Sequence, residues 1–472
     1  MENKQGNILG TQPIGQLLLK FAVPSIIAMQ VSALYNIVDQ IFIGHSVGVL
    51  GNAATNVAFP LSTVCVALCL LFGVGGAANF NLCMGAGDKE RARHFVGNAV
   101  ALLLLSGILL SLFSFILLEP MMRFFGATPD VLGYALEYTG ITLWGFPFLI
   151  IANGGANLVR ADGSPKYSMM CMLVGAIINT VLDPLFIFGF DMGMKGAAWA
   201  TVIGQVVSGL MVIVYLSHMK TVKLSLSDLK LSGKRVVQIT SLGLAGCFNQ
   251  LAMMVVQITM NNTLTYYGGK SAYGSEIPLA CAGIIAKVNM IYFSIIIGIS
   301  QGLQPIVSFN YGARKYSRVH DTYRLALISA TVVSTLAFLC FQLFPRQITF
   351  LFGQGSEEYF RFAENYFRTF LFFTFLNGIQ PITSNFFTAI GKATRGAVLA
   401  LTRQIIFLLP LILILPMLIG IDGVMYAGPV ADFAAAVLAF VMGIQFSVIH
   451  LNLPLFKAFT PTVRGLARDV VL

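Results

Sequence analysis

Charge is what this chain has least of. Only 10% of its 472 residues are Asp, Glu, Lys or Arg, against roughly 25% in an average soluble domain. Hydrophobic residues make up 57%, and the mean hydropathy is +0.82. Too little polar surface is present to cover a soluble globule of this size, which excludes a large soluble core. Acids are scarcer than bases, 19 against 29, and the net charge is +10. The opening stretch MENKQGNILGTQPIGQ lacks the basic, apolar and small-residue regions of a signal peptide in their proper order, so the first apolar run is expected to be retained as a span.

Catalytic motifs are missing as well. No GxxxxGK[ST] cradle for ATP phosphates is present, no HExxH, and no GxSxG nucleophile elbow. An enzyme is not expected, nor a bound cofactor. The seven cysteines, Cys65, Cys69, Cys83, Cys171, Cys247, Cys281 and Cys340, fall in or beside apolar runs and make no CxxC. They read as small packed apolar residues rather than disulfides or metal ligands.

What is present is a series of apolar runs. A bilayer span needs about 20 such residues, and twelve runs qualify: 14–43, 53–83, 95–118, 134–160, 167–190, 194–217, 236–266, 278–309, 322–344, 360–389, 394–418 and 424–450. Pro24, Pro60, Pro147, Pro184, Pro305, Pro381 and Pro410 fall inside them, each removing a backbone donor. An even count puts both termini on one side. The segments on that side hold most of the bases, including Lys89, Arg91, Arg93, Lys220, Arg235, Arg314, Arg318, Arg395, Arg403, Lys457, Arg464 and Arg468. The other side holds Glu119, Asp130, Asp191, Glu357 and Glu358. That is the positive-inside asymmetry, with both termini cytoplasmic. It explains the net charge without nucleic acid as a partner.

The chain also repeats itself. GVGGAANFNLCMGAGDKERAR and SQGLQPIVSFNYGARKYSR align at a shift of 227, pairing Gly75 with Gly302, Gly85 with Gly312 and Arg91 with Arg318. Nearly the same shift pairs Asn157 with Asn385 and Gly163 with Gly391. The fold class is therefore an all-α membrane protein of twelve transmembrane helices in two pseudo-symmetric six-helix lobes, 1–219 and 236–455. A cytoplasmic linker at 220–235 and a tail at 456–472 complete it. Repeats of six spans are related by an axis along the membrane normal, and the seam between lobes is the natural place for a substrate cavity.

Three acids lie inside spans. A charge at a helix centre costs at least ~2.5–3.5 kcal/mol, so such residues face a cavity or a partner. Asp39 sits in YNIVDQIFIG, expected to share one helix face with Asn36 and Gln40. Asp183 sits in INTVLDPLFIFG, one turn after Asn179. At 1.5 Å per residue, Asp39, Asp183 and Thr201 all lie roughly 7–11 Å below the outer end. Two carboxylates with amide and hydroxyl oxygens make a site for Na⁺ or a proton. A helix-holding hydrogen-bond role is the alternative. The positions shifted from Asn179 and Asp183 fall in the apolar QIIFLLPLILIL, so the second lobe lacks this pair. Asp432, in GPVADFAAAV, shows no comparable polar company and reads as helix packing or a cavity wall. Lys287, in GIIAKVNMIYF, faces the central cavity or snorkels outward; the spacing leaves both open. Asn153, Asn157 and Arg160 in NGGANLVRADGSPK read as a tight helix hairpin with a basic anchor. The glycine clusters Gly73–Gly76 and Gly298–Gly302 read as close packing.

YNIVDQIFIG, GAGDKERAR, RADGSPKYS, INTVLDPLFIFG, GAAWATVIGQ and GISQGLQPIVSFNYGARKYSR, in this order over twelve spans, resemble the multidrug and toxic compound extrusion (MATE) family, in its bacterial branch of DinF- and MepA-like exporters. The resemblance implies a secondary antiporter in the bacterial cytoplasmic membrane, exporting amphiphilic, often cationic compounds against Na⁺ or H⁺. It implies coupling through Asp39, Asn179, Asp183 and Thr201, with Asn36 adjacent. Members that carry an acidic pair in the C-terminal lobe differ from this chain, which has Gln250 and Gln380 in FNQLAMMVV and NGIQPITSN. Met253, Met254, Met290, Lys287 and Gln250 are candidates for the substrate cavity. A monomer is expected. The rival transporter reading is a lipid-linked oligosaccharide flippase of related fold, which needs a wide cationic groove. A receptor or scaffold membrane protein is a third, told apart by the absence of gradient-driven flux.

Overall fold

The computed structural model describes residues 7–274, 276–352 and 356–451. The expected tail at 456–472, with Lys457, Arg464 and Arg468, lies outside them. Among the described residues the spans are helical and no strand occurs, as hydrocarbon demands: a span with no water around it must satisfy its backbone internally. The spans are α1 (Ile14–Ser46), α2 (Leu50–Gly85), α3 (Lys89–Ile116), α4 (Pro129–Ala161), α5 (Pro165–Gly189), α6 (Gly193–Ser217), α7 (Gly233–Gly269), α8 (Ile277–Gly312), α9 (Tyr316–Leu343), α10 (Glu357–Phe370 and Ile379–Ala389), α11 (Ala393–Ile419) and α12 (Ile421–Leu451). Eleven of these are each long and apolar enough to cross a bilayer. The twelfth, α10, crosses in two pieces.

That break has a counterpart. α4 turns through a tight 3₁₀ segment at Leu143–Gly145, just before Pro147. α10 does the same at Thr374–Leu376, shortly before Pro381. Proline cannot donate to the preceding turn and its ring crowds it, so both helices break at equivalent places. Asp88 caps α3 by accepting from the Arg91 N–H at 2.9 Å, and Ser356 caps α10 by accepting from Tyr359 at 3.2 Å.

Two hydrophobic cores correspond to the two lobes, and they interleave at one end. Leu17, Leu18 and Phe21 of α1 pack in the core of the second lobe, while Ile239 of α7 packs in the core of the first. At the end that carries the termini, α2 and α8 meet with almost no gap. A methyl group on Gly85 would strike the carbonyl of Phe309, and one on Gly312 would strike that of Leu82. The repeat thus places two equivalent glycines against each other's helix, the close-packing role expected of such residues. A short helix at Ile8–Thr11 covers the same end. Asn310 Nδ2 donates to the Leu9 carbonyl at 2.8 Å, Lys315 Nζ to that of Gly10 at 2.9 Å and Arg318 Nη2 to that of Gln12 at 2.6 Å.

The stretch between lobes is docked rather than loose. Asp228 accepts from the Ser225 N–H at 2.8 Å and pairs with Arg93 at 3.1 Å and His94 at 2.9 Å, while Asn98 donates to the carbonyls of Asp228 and Lys230. Burial alone would raise the Asp228 carboxyl. Hydrogen bonds from Ser225 and the charges of Arg93 and His94 outweigh it and hold the group below the usual carboxylate range. Six of the seven cysteines are buried; Cys340 is exposed, against the packed role expected of it.

Candidate functional site

On α5, Asn179 and Asp183 sit one turn apart and face the same way. The Asn179 amide donates to Asp183 Oδ1 at 3.3 Å and to Thr201 Oγ1 on α6 at 3.3 Å. Asp39 on α1 brings its carboxyl within hydrogen-bonding reach of Asp183. Asp183 is 0% exposed, Asn179 3% and Asp39 9%. The four residues therefore form one cluster joining α1, α5 and α6. Just beyond Pro184 the helix widens into a π-helical turn, Leu185–Gly189, a local distortion common at functional sites.

The cluster is short of positive charge and of donors. Asp39 Oδ1, Asp183 Oδ2 and Asn179 Oδ1 are buried with no hydrogen-bond partner. Three orphaned oxygens within one cluster are what a hard cation or a shared proton satisfies. Among the described residues no group of three His, Cys, Asp or Glu side chains is placed to hold a metal. A transition-metal centre therefore does not fit, and a site of two carboxylates with neutral oxygens does.

Asn36 and Gln40 are not part of the cluster. Both side chains are exposed, and Asn36 Nδ2 donates instead to the Ser32 carbonyl at 2.6 Å. They sit about 60° and 100° around the helix from Asp39, so one narrow contact admits the aspartate alone. Two tyrosines that sequence reasoning missed complete the surroundings. Tyr35 lies near Asp39, and the Tyr138 hydroxyl of α4 reaches Thr201, within the field of both carboxylates. Tyr35 precedes Asp39 by one helical turn, a spacing that signals it. Nothing local signals Tyr138.

A small cavity of about 70 Å³ opens beside Asn179 and Thr201, lined also by Ser32 and Tyr35 of α1, Asn153 of α4 and Gln205 of α6. Asn153 thus belongs to the site's surroundings. Arg160, expected as a basic anchor at the membrane surface, is instead buried, with its guanidinium donating to Asn157 Oδ1 at 2.6 Å and Ser168 Oγ at 3.2 Å. It ties the α4–α5 hairpin together. None of Met253, Met254, Met290, Lys287 and Gln250 lines this cavity; they lie on α7 and α8.

The MatE family model matches residues 24–185 and 247–414. The chain belongs to the MatE family. The MatE match spans both lobes and includes Asp39, Asn179 and Asp183. The chain is 25% identical over 440 residues to the multidrug export protein MepA of Staphylococcus haemolyticus, covering 93% of this chain and 95% of that one. It is 25% identical over 427 residues to MepA of Staphylococcus saprophyticus, covering 89% and 92%. Among solved structures, an outward-facing multidrug resistance MATE family transporter superposes with a TM-score of 0.86 at 25% identity, over 94% of this chain and 98% of that one. This MatE protein is accordingly a multi-pass membrane protein.

The second lobe corrects the expectation for Asp432, whose polar company is close. Arg403 Nε meets Asp432 Oδ1 at 2.6 Å, and Asn377 Nδ2 donates to Asp432 Oδ2 at 2.8 Å. Arg403 does not belong to the basic segments at the membrane surface. It lies ten residues into α11, 14% exposed and stacked over Phe293 at 5.6 Å. A paired guanidinium can stay at that depth where a lone one cannot. α5 and α11 begin 228 residues apart, at Pro165 and Ala393; so do α6 and α12, at Gly193 and Ile421. That register sets Arg403 against Gly175 and Asp432 against Gly204, the two glycines that border the first-lobe cavity. One lobe keeps space and unpaired carboxylates, and the other has a built-in cation on its acid. Gln380 holds helices together: its amide donates to the Leu399 carbonyl at 2.5 Å.

Proposed function

We propose that the protein is a secondary active exporter that couples efflux of amphiphilic compounds to entry of Na⁺ or H⁺ at the Asp39–Asp183 cluster, by alternating access. The observation that carries this reading is the set of three orphaned oxygens on facing acid and amide side chains, buried in one lobe. Two carboxylates stripped of water and unpartnered repel each other, and an incoming cation or proton relieves that repulsion. Binding there draws α1 toward α5 and α6. The terminal-side half of α1 belongs to the core of the other lobe, so the pull is felt across the seam. An ion drives the cycle only through unequal affinity for the two states, and a helix shared between both cores is a means of creating that inequality. The export of multiple drugs by the similar MepA proteins supports the choice of cargo.

The role of each residue follows from its position. Asp39 and Asp183 hold the cation or proton. Asn179 and Thr201 supply neutral oxygens and fix the Asp183 carboxyl. The protein works as a monomer with small molecules and the bilayer as partners, in a bacterial cytoplasmic membrane with both termini inside. The test is efflux from proteoliposomes with Na⁺ and pH gradients imposed separately. One gradient alone is expected to drive flux; flux under neither removes the antiport reading.

A further inference from the structure

Lys287 has no acidic partner among the described residues, is exposed, and lies ten residues into α8, about 15 Å from the end of its span. A lone ammonium facing lipid at that depth is costly, so its direction matters. α1 and α8 run antiparallel, and their contacts climb together: Ala22 against Gly302, Ile26 against Gly298, then Gln30 Nε2 donating to the Ile291 carbonyl at 3.0 Å. Lys287 occupies the next turn of that same α8 face, level with the α1 turn that holds Tyr35 and Asn36. There residues of both helices become exposed: Leu34, Asn36 and Gln40 on α1, Met290, Lys287 and Gly283 on α8. α7 repeats the pattern against α2, packed at Gly243 on Leu71 and Gly246 on Leu70, then exposed at Met253 and Gln257. The two faces that seal the lobes at the terminal end thus part into a cleft, and Lys287 faces it.

The charges around this cleft are lopsided. Asp39 and Asp183 are turned into the first lobe, and Asp432 is taken by Arg403. Among the described residues Lys287 remains without an ion pair, and the exposed stretches of α1, α7 and α8 at this level also carry Asn36, Gln40, Gln257, Met253 and Met290. We infer that the cleft selects amphiphiles bearing a carboxylate or other acidic group, with Lys287 as the residue that recognises it. The apolar body of such a compound packs on methionines, which adapt to irregular shapes. This deepens the export reading by naming a substrate class, and it runs against a preference for cations.

The test is binding rather than transport, so its failure is separable from failure of the antiport reading. The purified full-length protein in nanodiscs is titrated with fluorescein, an anionic dye, and with rhodamine 6G, a cationic dye on the same ring system, by fluorescence anisotropy. The wild type is expected to bind fluorescein more tightly. Lys287→Met is expected to weaken fluorescein about tenfold and tighten rhodamine 6G. Lys287→Arg keeps the wild-type preference and Lys287→Glu reverses it. An unchanged thermal transition in each variant shows that the fold is intact. Should the wild type favour rhodamine 6G, or should Lys287→Met leave the ratio of the two affinities unaltered, the inference is overturned while gradient-driven efflux stands on its own test.

Discussion

Asp39→Asn isolates the charge at the coupling cluster while keeping its shape. An ion about 3 Å from a carboxylate gains about 5 kcal/mol at the effective dielectric of 20 that suits protein sites. A neutral amide oxygen retains part of that attraction, leaving a net loss of about 3 kcal/mol, or about a hundredfold in ion affinity. Protonation is affected more simply, because the substituted cluster has one carboxyl where it had two. Folding should not suffer. Asp183 Oδ2 is an orphaned acceptor, and the new amide N–H is positioned to donate to it, removing an unsatisfied group instead of creating one. Drug efflux from proteoliposomes under the driving gradient, read beside the thermal transition, checks both halves. Efflux is expected to be lost with the transition unchanged or higher. Wild-type efflux in Asp39→Asn would refute the coupling role. Lost efflux together with a fallen transition would show that the carboxylate holds the helices instead.

Three further outcomes follow from other parts of the molecule. Arg403→Met leaves Asp432 buried with only Asn377 as partner, so stability should fall by about 3–5 kcal/mol; chemical denaturation measures it, and adding Asp432→Leu should recover most of the loss. Gly85→Ala places a methyl against the Phe309 carbonyl, which should pry the lobes apart at the terminal end and speed amide hydrogen exchange near Phe309 and Gly312. The Asp228 carboxyl is held below its ordinary value, so its contribution is present above the unfolded pKa of about 3.9 and disappears as pH falls through the lower folded value. Hydrogen-exchange protection across 220–235, taken relative to the intrinsic rate at each pH, should be flat from neutral pH to about 5 and fall in stronger acid, and Asp228→Asn should lower it at neutral pH.

The sequence by itself determined the solvent and the architecture. Scarce charge and twelve apolar runs leave helices in a bilayer as the way to satisfy the backbone, and a constant offset between repeats makes two lobes. It also placed Asp39, Asp183 and Thr201 at one depth, with Asn179 one turn from Asp183, because rise per residue is fixed along a helix. Azimuth around a helix is fixed too, but which neighbour meets which sector is not, and that is where sequence reasoning stopped. Asn36 and Gln40 lie near Asp39 on α1 yet turn out of the cluster, and Tyr138 enters it from a broken helix whose path no local pattern sets. Arg403 and Asp432, 29 residues apart on separate spans, look like a surface base and a lone acid until packing makes them a pair. Only the tertiary structure decided these, because a buried charge is tolerated according to the partner it meets, and partners across a bundle are chosen by helix contact rather than by distance along the chain.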